Sequence, residues 1–157
     1  MRSGIGFDVH KFEEGKKIII GGEEIFFSRK LKGHSDADVL LHALMDALLG
    51  AMGKGDIGRH FPDTEKKYKD ISSIVLLKKV RGIMREEGFI VNNIDMIVMA
   101  QAPKLAPYAD KIENNICQVL DIGKSRVNFK ATTTEKLGFV GRQEGIAAQV
   151  VVTVAKV

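Results

Sequence analysis

The sequence has no apolar run of membrane-spanning length and no charged-then-apolar leader, so a soluble, cytoplasmic protein is expected. Cysteine is nearly missing too. Cys117 stands alone, which excludes an internal disulfide and suits a reducing compartment. It sits among apolar positions of an expected helix, where it serves as packing. Aromatic residues make up only 6% of the chain, and 24 basic against 20 acidic residues leave a net charge of +4. That gives little support for nucleic-acid binding, whereas a modest positive excess suits a small anionic substrate. Internal repeats, linkers and low-complexity tracts are absent. The 157 residues are read as one domain, 1–157, long enough to bury about two-thirds of the unfolded surface without cross-links.

What is present begins with Ser3-Gly4-Ile5-Gly6-Phe7-Asp8-Val9-His10. As a strand, this run places Ile5, Phe7 and Val9 on one face, the expected core face, and Gly4, Gly6, Asp8 and His10 on the other. Asp8 and His10 are two metal ligands two residues apart, behind glycines that leave room. His42, in an expected helix from about Asp38 to Met52, offers a third. Asp, His and His leave one tetrahedral position open, as catalytic zinc sites do. The alternative is a pair of solvated polar residues near a strand end.

Further along, Ile18-Ile19-Ile20 and Ile25-Phe26-Phe27 flank Gly21-Gly22 and read as a hairpin projecting as an arm. Gly33-His34-Ser35 precedes the His42 helix and can present N–H groups and a hydroxyl to phosphate. Ser35 or Asp36 is a candidate cap. Leu40, Leu41, Leu44, Ala47 and Leu48 form the helix's packed side. Asp38, His42 and Asp46 share one stripe, so the carboxylates read either as orienting partners of a ligand histidine or as a solvated face. The glycine-dense segment from Gly53 to Glu65 is expected to be irregular and to form a pocket wall. A helix follows from Ile71 or Ser72 to Glu87, with Ser72 or Ser73 a possible cap; its basic residues Lys78, Lys79, Arg81 and Arg85 are taken as a solvated face. Phe89–Gln101 reads as a buried strand ending in a proline-stiffened loop, Ala100 to Pro107, whose backbone can read a flat base edge. Helical spacing resumes from Tyr108 to Leu120, and Val127–Ala131 alternates as a strand. It runs into Thr132-Thr133-Thr134-Glu135, which fits a capping box as well as a phosphate and magnesium site. A valine-rich strand closes the chain. The fold expected is α+β: a mixed sheet with helices packed on one face, plus the projecting hairpin. A sheet face left uncovered would be buried by closed-ring oligomerisation.

Several segments together resemble one family: Gly6-Phe7-Asp8-Val9-His10, His34-Ser35-Asp36, His42-Ala43-Leu44, Gly55-Asp56-Ile57-Gly58, Phe61-Pro62-Asp63-Thr64, Ala100-Gln101-Ala102-Pro103-Lys104 and Lys130-Ala131-Thr132-Thr133-Thr134-Glu135-Lys136-Leu137-Gly138-Phe139. The family is that of the 2-C-methyl-D-erythritol 2,4-cyclodiphosphate synthases of the non-mevalonate route to isoprenoid precursors. The likeness runs through nearly the whole chain in order. Departures are small: Glu65 stands where the family commonly has aspartate, and Val140 and Gln143 flank Gly141-Arg142.

The resemblance implies a homotrimer with active sites between subunits and a CMP-releasing cyclisation of a cytidine diphosphate ester. It implies zinc on Asp8, His10 and His42, and magnesium or a similar ion on Glu135. His34 and Thr133 are implied as catalytic, and Ser35 as a phosphate contact beside Asp8 and His10. Asp56, Ile57 and Gly58, with Phe61, Pro62, Asp63, Thr64 and Glu65, are implied at the sugar or polyol hydroxyls. Ala100, Gln101, Ala102, Pro103, Lys104, Leu105 and Ala106 are implied around cytosine and phosphate, and Thr132 and Thr134 beside the diphosphate. Phe139 and Arg142 resemble positions near the threefold axis, where an isoprenoid diphosphate is implied. Nucleic acid and membrane are not expected partners. The rival readings are a zinc-dependent phosphohydrolase and a non-catalytic trimeric binder of isoprenoid or nucleotide diphosphates. The binder predicts a closed four-ligand metal site, and His60 is the only spare histidine.

Overall fold

Two glycines set the architecture. Gly4 and Gly6 lie in strand β1 (Arg2–Glu14), and a Cβ on either would run into a backbone carbonyl of helix α1 (Val39–Met52), that of Ala47 or of Ala43. Their lack of side chains lets the helix rest directly on the strand. The computed structural model, which describes residues 1–157, thereby reverses the expected core face of β1. Ile5, Phe7 and Val9 are 63%, 56% and 40% exposed, while the glycine face is covered. The alternation holds, but the covered side is decided by how closely a helix can approach, not by side-chain size.

Beside β1 runs β7 (Gly145–Lys156), antiparallel to it and to β5 (Phe89–Met99). β6 (Val127–Thr132) adds to β5 in parallel, and β4 (Arg29–Leu31) pairs with the far end of β1. The result is a five-stranded mixed sheet in the order β4-β1-β7-β5-β6. One face carries Val150, Val152 and Val154 with Ile94, Met96 and Val98, all buried. Helices α1, α3 (Ser73–Glu86) and α4 (Ala109–Leu120) lie on that side. The sheet touches α1 on one side and α3 and the hairpin on others, so twelve of the fourteen α1 residues are buried rather than one stripe.

The hairpin, β2 (Lys17–Ile20) with β3 (Glu23–Phe26), does not project. Ile18, Ile20 and Ile25 enter the core. Its Gly21 and Gly22 N–H groups donate to the buried Asp38 carboxylate at 2.9 and 2.7 Å, and Asn115 on α4 donates to the Gly21 carbonyl. Asp38 also caps α1 by accepting from Leu41 N. It is the cap, not Ser35 or Asp36. Removing it strands two N–H groups and a helix terminus. Asp38→Ala is therefore expected to cost about 3 kcal/mol, read as a melting temperature lower by about 10 °C.

Two other local expectations change. Ile57–His60 forms one helical turn, α2, because Asp56 accepts from Arg59 N. Thr132–Glu135 is no helix start: Glu135 and Lys136 have positive φ, and the single turn α5 (Gly138–Gly141) begins after Leu137. No helix is long and apolar enough to cross a membrane.

Candidate active site

β1 and α1 bring three ligand atoms to one point. Asp8 Oδ2 lies 2.8 Å from His10 Nε2 and 3.2 Å from His42 Nδ1, and the two imidazole nitrogens are 3.1 Å apart. These separations approach the edges of about 3.3 Å that a tetrahedron of zinc ligands has. The Asp8, His10 and His42 set expected from sequence is thus brought together, as a cluster able to hold a metal ion. His10 Nδ1 is 2.7 Å from the Lys32 carbonyl, which can only accept. Nδ1 therefore carries the proton and Nε2 is left for the metal. His60 is no fourth ligand: it lies outside the cluster, its Nε2 2.9 Å from the Lys54 carbonyl. The cluster stops at three, which fits an open catalytic position better than a closed structural site.

Without a metal, the charges settle among themselves. Burial opposes ionisation of Asp8, but the imidazoles of His10 and His42 beside it bring its carboxyl down to about 2. Burial likewise opposes protonation of His10, yet the bond to Asp8 and its charge raise the imidazole above its ordinary value. A protonated imidazole cannot ligate, so zinc affinity should fall as pH drops through this raised range, earlier than for a free histidine. Chelator competition across pH measures it.

The carboxylates flanking His42 along the helix do not orient it. Asp38 serves the hairpin, and Asp46 accepts from Ile57 N at 2.8 Å, fixing the start of α2. His42 Nε2 instead meets two hydroxyls, Ser35 Oγ and Ser73 Oγ, each at 3.0 Å. Ser73 takes no part in capping α3 through its side chain; its N–H and hydroxyl both donate to Asp36, at 2.9 and 2.5 Å. Sequence reasoning treats Ser73 as a cap and so misses it. Its signal is long-range, 31 residues from His42, and no local pattern carries it.

His10 and His42 line a cavity of about 320 Å³ with His34, Ser35, Ile57, Gly58, Phe61, Pro62 and Asp63. Tyr68 and Leu76 complete it without any sequence signal. His34 Nε2 is buried without a hydrogen-bond partner, an atom that a ligand in the cavity would satisfy. Asp56, Thr64 and Glu65 are exposed and outside its lining; Asp56 caps α2, and Glu65 pairs with Lys67 at 2.9 Å.

A second cavity, of about 330 Å³, is lined by Ala100, Gln101, Pro103, Lys104, Leu105 and Ala106 with Thr132 and Thr133. Gln101 Oε1 accepts from Lys136 N at 3.1 Å, tying the loop after β5 to the loop after β6. Ala102, Thr134 and Glu135 belong to these loops but not to the lining. Glu135 is exposed and joins no cluster of three or more ligand groups. Phe139 and Arg142 lie beyond, both exposed, with Arg142 Nε donating to Glu144 at 2.8 Å. The two cavities share no residue. Val9, Ala147, Met99 and Thr132 form one row across the sheet, so their strands β1 and β6 are three spacings, about 14 Å, apart.

Comparison with known proteins follows this geometry. Residues 1–155 match the profile of the YgbB family. The chain is 60% identical to the 2-C-methyl-D-erythritol 2,4-cyclodiphosphate synthase of Halothermothrix orenii, over 97% of its own length and 92% of that protein. It is 57% identical to the synthase of the same name from Alkaliphilus metalliredigens, over 99% and 98%. Among solved structures it superposes on the bifunctional IspDF from Campylobacter jejuni with a TM-score of 0.95 at 48% identity, over 99% of this chain and 42% of that one. It spans less than half of that bifunctional protein. The CDP complex of IspF from Plasmodium falciparum matches with a TM-score of 0.86 at 32% identity, over 99% and 96%.

Proposed function

This chain belongs to the YgbB family, and on that premise we propose that it carries out the reaction its relatives are named for. It converts 4-diphosphocytidyl-2-C-methyl-D-erythritol 2-phosphate to 2-C-methyl-D-erythritol 2,4-cyclodiphosphate and CMP, as a lyase of the non-mevalonate route to isoprenoid precursors. A cytidine diphosphate ligand accords with the CDP-bound relative. The observation that carries the reading is the three-ligand cluster of Asp8, His10 and His42 beside a cavity edged by the partnerless His34 nitrogen.

An oxygen of the 2-phosphate forms a bond to the β-phosphorus, the bond from that phosphorus to the bridging oxygen breaks, and CMP departs with the electron pair. No water enters and no covalent enzyme intermediate is needed. Two anionic groups must approach, so catalysis is alignment and neutralisation of charge. Zinc, held by Asp8, His10 and His42, would supply Lewis acidity and a fixed place for a phosphate oxygen. His34 and Ser35 donate to phosphate oxygens in the first cavity, where Ile57, Gly58, Phe61, Pro62 and Asp63 shape the wall around the methylerythritol unit. Asp56, Thr64 and Glu65 flank that wall. In the second cavity the Ala100–Ala106 loop and Lys104 hold cytosine and phosphate. Thr133 stabilises the diphosphate as it reacts, with Thr132 and Thr134 beside it; Glu135 would hold magnesium, which would offset the charge of the diphosphate.

The two halves of this machinery lie in separate cavities of one chain. We place the complete site between neighbouring subunits of a homotrimer, each subunit a single domain of residues 1–157, with the apolar sheet face turned inward. Phe139 and Arg142 would then border an axial cavity suited to an isoprenoid diphosphate, a role that Arg142→Ala would abolish in a geranyl diphosphate binding assay. The cyclase reading is tested by phosphorus NMR of the zinc- and magnesium-loaded protein with its substrate. Coupled diphosphate resonances of a cyclic product with equimolar CMP are expected. A linear product would point to a phosphohydrolase, and bound but unreacted substrate to a binding protein.

A further inference from the structure

We propose that Asp36 and Ser73 act as a positioning relay that fixes which nitrogen of His42 faces the metal. The inference rests on the zinc reading of the Asp8, His10 and His42 cluster and adds two residues to it.

A serine hydroxyl has one proton to donate. Ser73 Oγ lies 2.5 Å from Asp36 Oδ1, and every other group on that carboxylate is also a donor: Ser73 N at 2.9 Å and Asp38 N at 3.2 Å. Asp36 is thus the acceptor in each contact, and the Ser73 proton is committed to it. What Ser73 turns toward His42 Nε2, 3.0 Å away, is a lone pair. The imidazole must answer with an N–H. Nε2 is therefore protonated, and Nδ1, which faces Asp8 Oδ2 and His10 Nε2, keeps its lone pair for a cation. Ser35, also 3.0 Å from Nε2, accepts from the same N–H and keeps its own proton free for the cavity it lines.

The placement makes the relay stiff. Ser73 is fully buried at the first turn of α3, and Asp36 is held from the other side, its N–H donating to the Ile71 carbonyl. His10 reaches the same end by another route, its tautomer set by the Lys32 carbonyl. Both ligand histidines thus have their metal-facing nitrogen chosen by an acceptor on the opposite side of the ring.

The test combines zinc affinity with a direct reading of the tautomer. In the full-length chain stripped by chelator, nitrogen-15 NMR above the titration of the imidazole is expected to show His42 with Nε2 protonated and Nδ1 bare. The opposite tautomer, or an average of the two, would overturn the relay whatever any variant does. Ser73→Ala is expected to bind zinc about 10–100-fold more weakly in chelator competition and to mix the tautomers. Its lost turnover should return at saturating zinc, which damage to the fold would not allow. Ser73→Thr, which keeps the hydroxyl, should stay within about threefold of the parent, while Asp36→Asn, which places a donor opposite donors, should lose about tenfold. Ser73→Ala with parental affinity and an unmixed spectrum would refute the proposal. A parent protein that binds no zinc would instead sink the metal reading beneath it.

Discussion

His42→Ala protein is expected to stay folded, to lose the proposed zinc, and to turn over at least about a thousandfold more slowly. Lewis-acid stabilisation of a phosphoryl group is worth several kcal/mol, and about 4 kcal/mol corresponds to three orders of magnitude in rate. Two ligands on one strand, Asp8 and His10, would remain to hold the ion. Compensation from elsewhere is closed off, because the spare histidine His60 lies outside the ligand cluster. The fold should survive, since the core around α1 is built by its leucines and alanines and does not depend on the imidazole. Metal analysis and steady-state kinetics check both halves of the expectation; a His42→Ala protein that kept its zinc and its rate would remove the cluster from the mechanism.

The second large effect is expected far from any ligand. Phe7→Asp should convert the proposed trimer to monomers and abolish turnover while leaving the circular dichroism of the subunit unchanged. Phe7 shares its sheet face with Ile5, Val9 and Val151, between 40% and 63% exposed in the single chain. A contiguous apolar face of this kind marks an interface. Burying an unpaired carboxylate there costs several kcal/mol, enough to dissociate subunits. In a lone subunit the metal cluster and the Thr132–Thr133 cavity remain apart, so under the proposed shared site a monomer is inactive. Light scattering and activity at matched concentration read the outcome. An active monomer, whether variant or parent, would contradict the shared site.

Much of the site is legible in the sequence because its residues sit in short, ordered runs. Asp8 and His10 share a strand face by alternation, and His42 lies four residues into α1. The order of sheet and helices follows from periodicity as well. What is not legible depends on approach in three dimensions. Ile5, Phe7 and Val9 look like a core stripe, and only the fit of α1 against Gly4 and Gly6 shows that the opposite face is covered. The Gly-Gly hairpin looks like an arm until Asp38, sixteen residues on from Gly22, takes both turn N–H groups. Asp38 and Asp46 look like partners of His42 because they share its helical stripe. Each is claimed by backbone donors of another segment, and the hydroxyls that meet His42 come from Ser35 and from Ser73, at the start of a different helix. Local spacing finds ligands; it does not find the groups that orient them.

In the proposed reaction a phosphate within the substrate, and not water, attacks the β-phosphorus. Mass spectrometry of the products formed in oxygen-18 water measures this most directly. Equimolar CMP and cyclic diphosphate, both free of the heavy isotope, are expected. One oxygen-18 atom in either product, with the ring left open, would contradict it and make the three-ligand cluster the centre of a hydrolase.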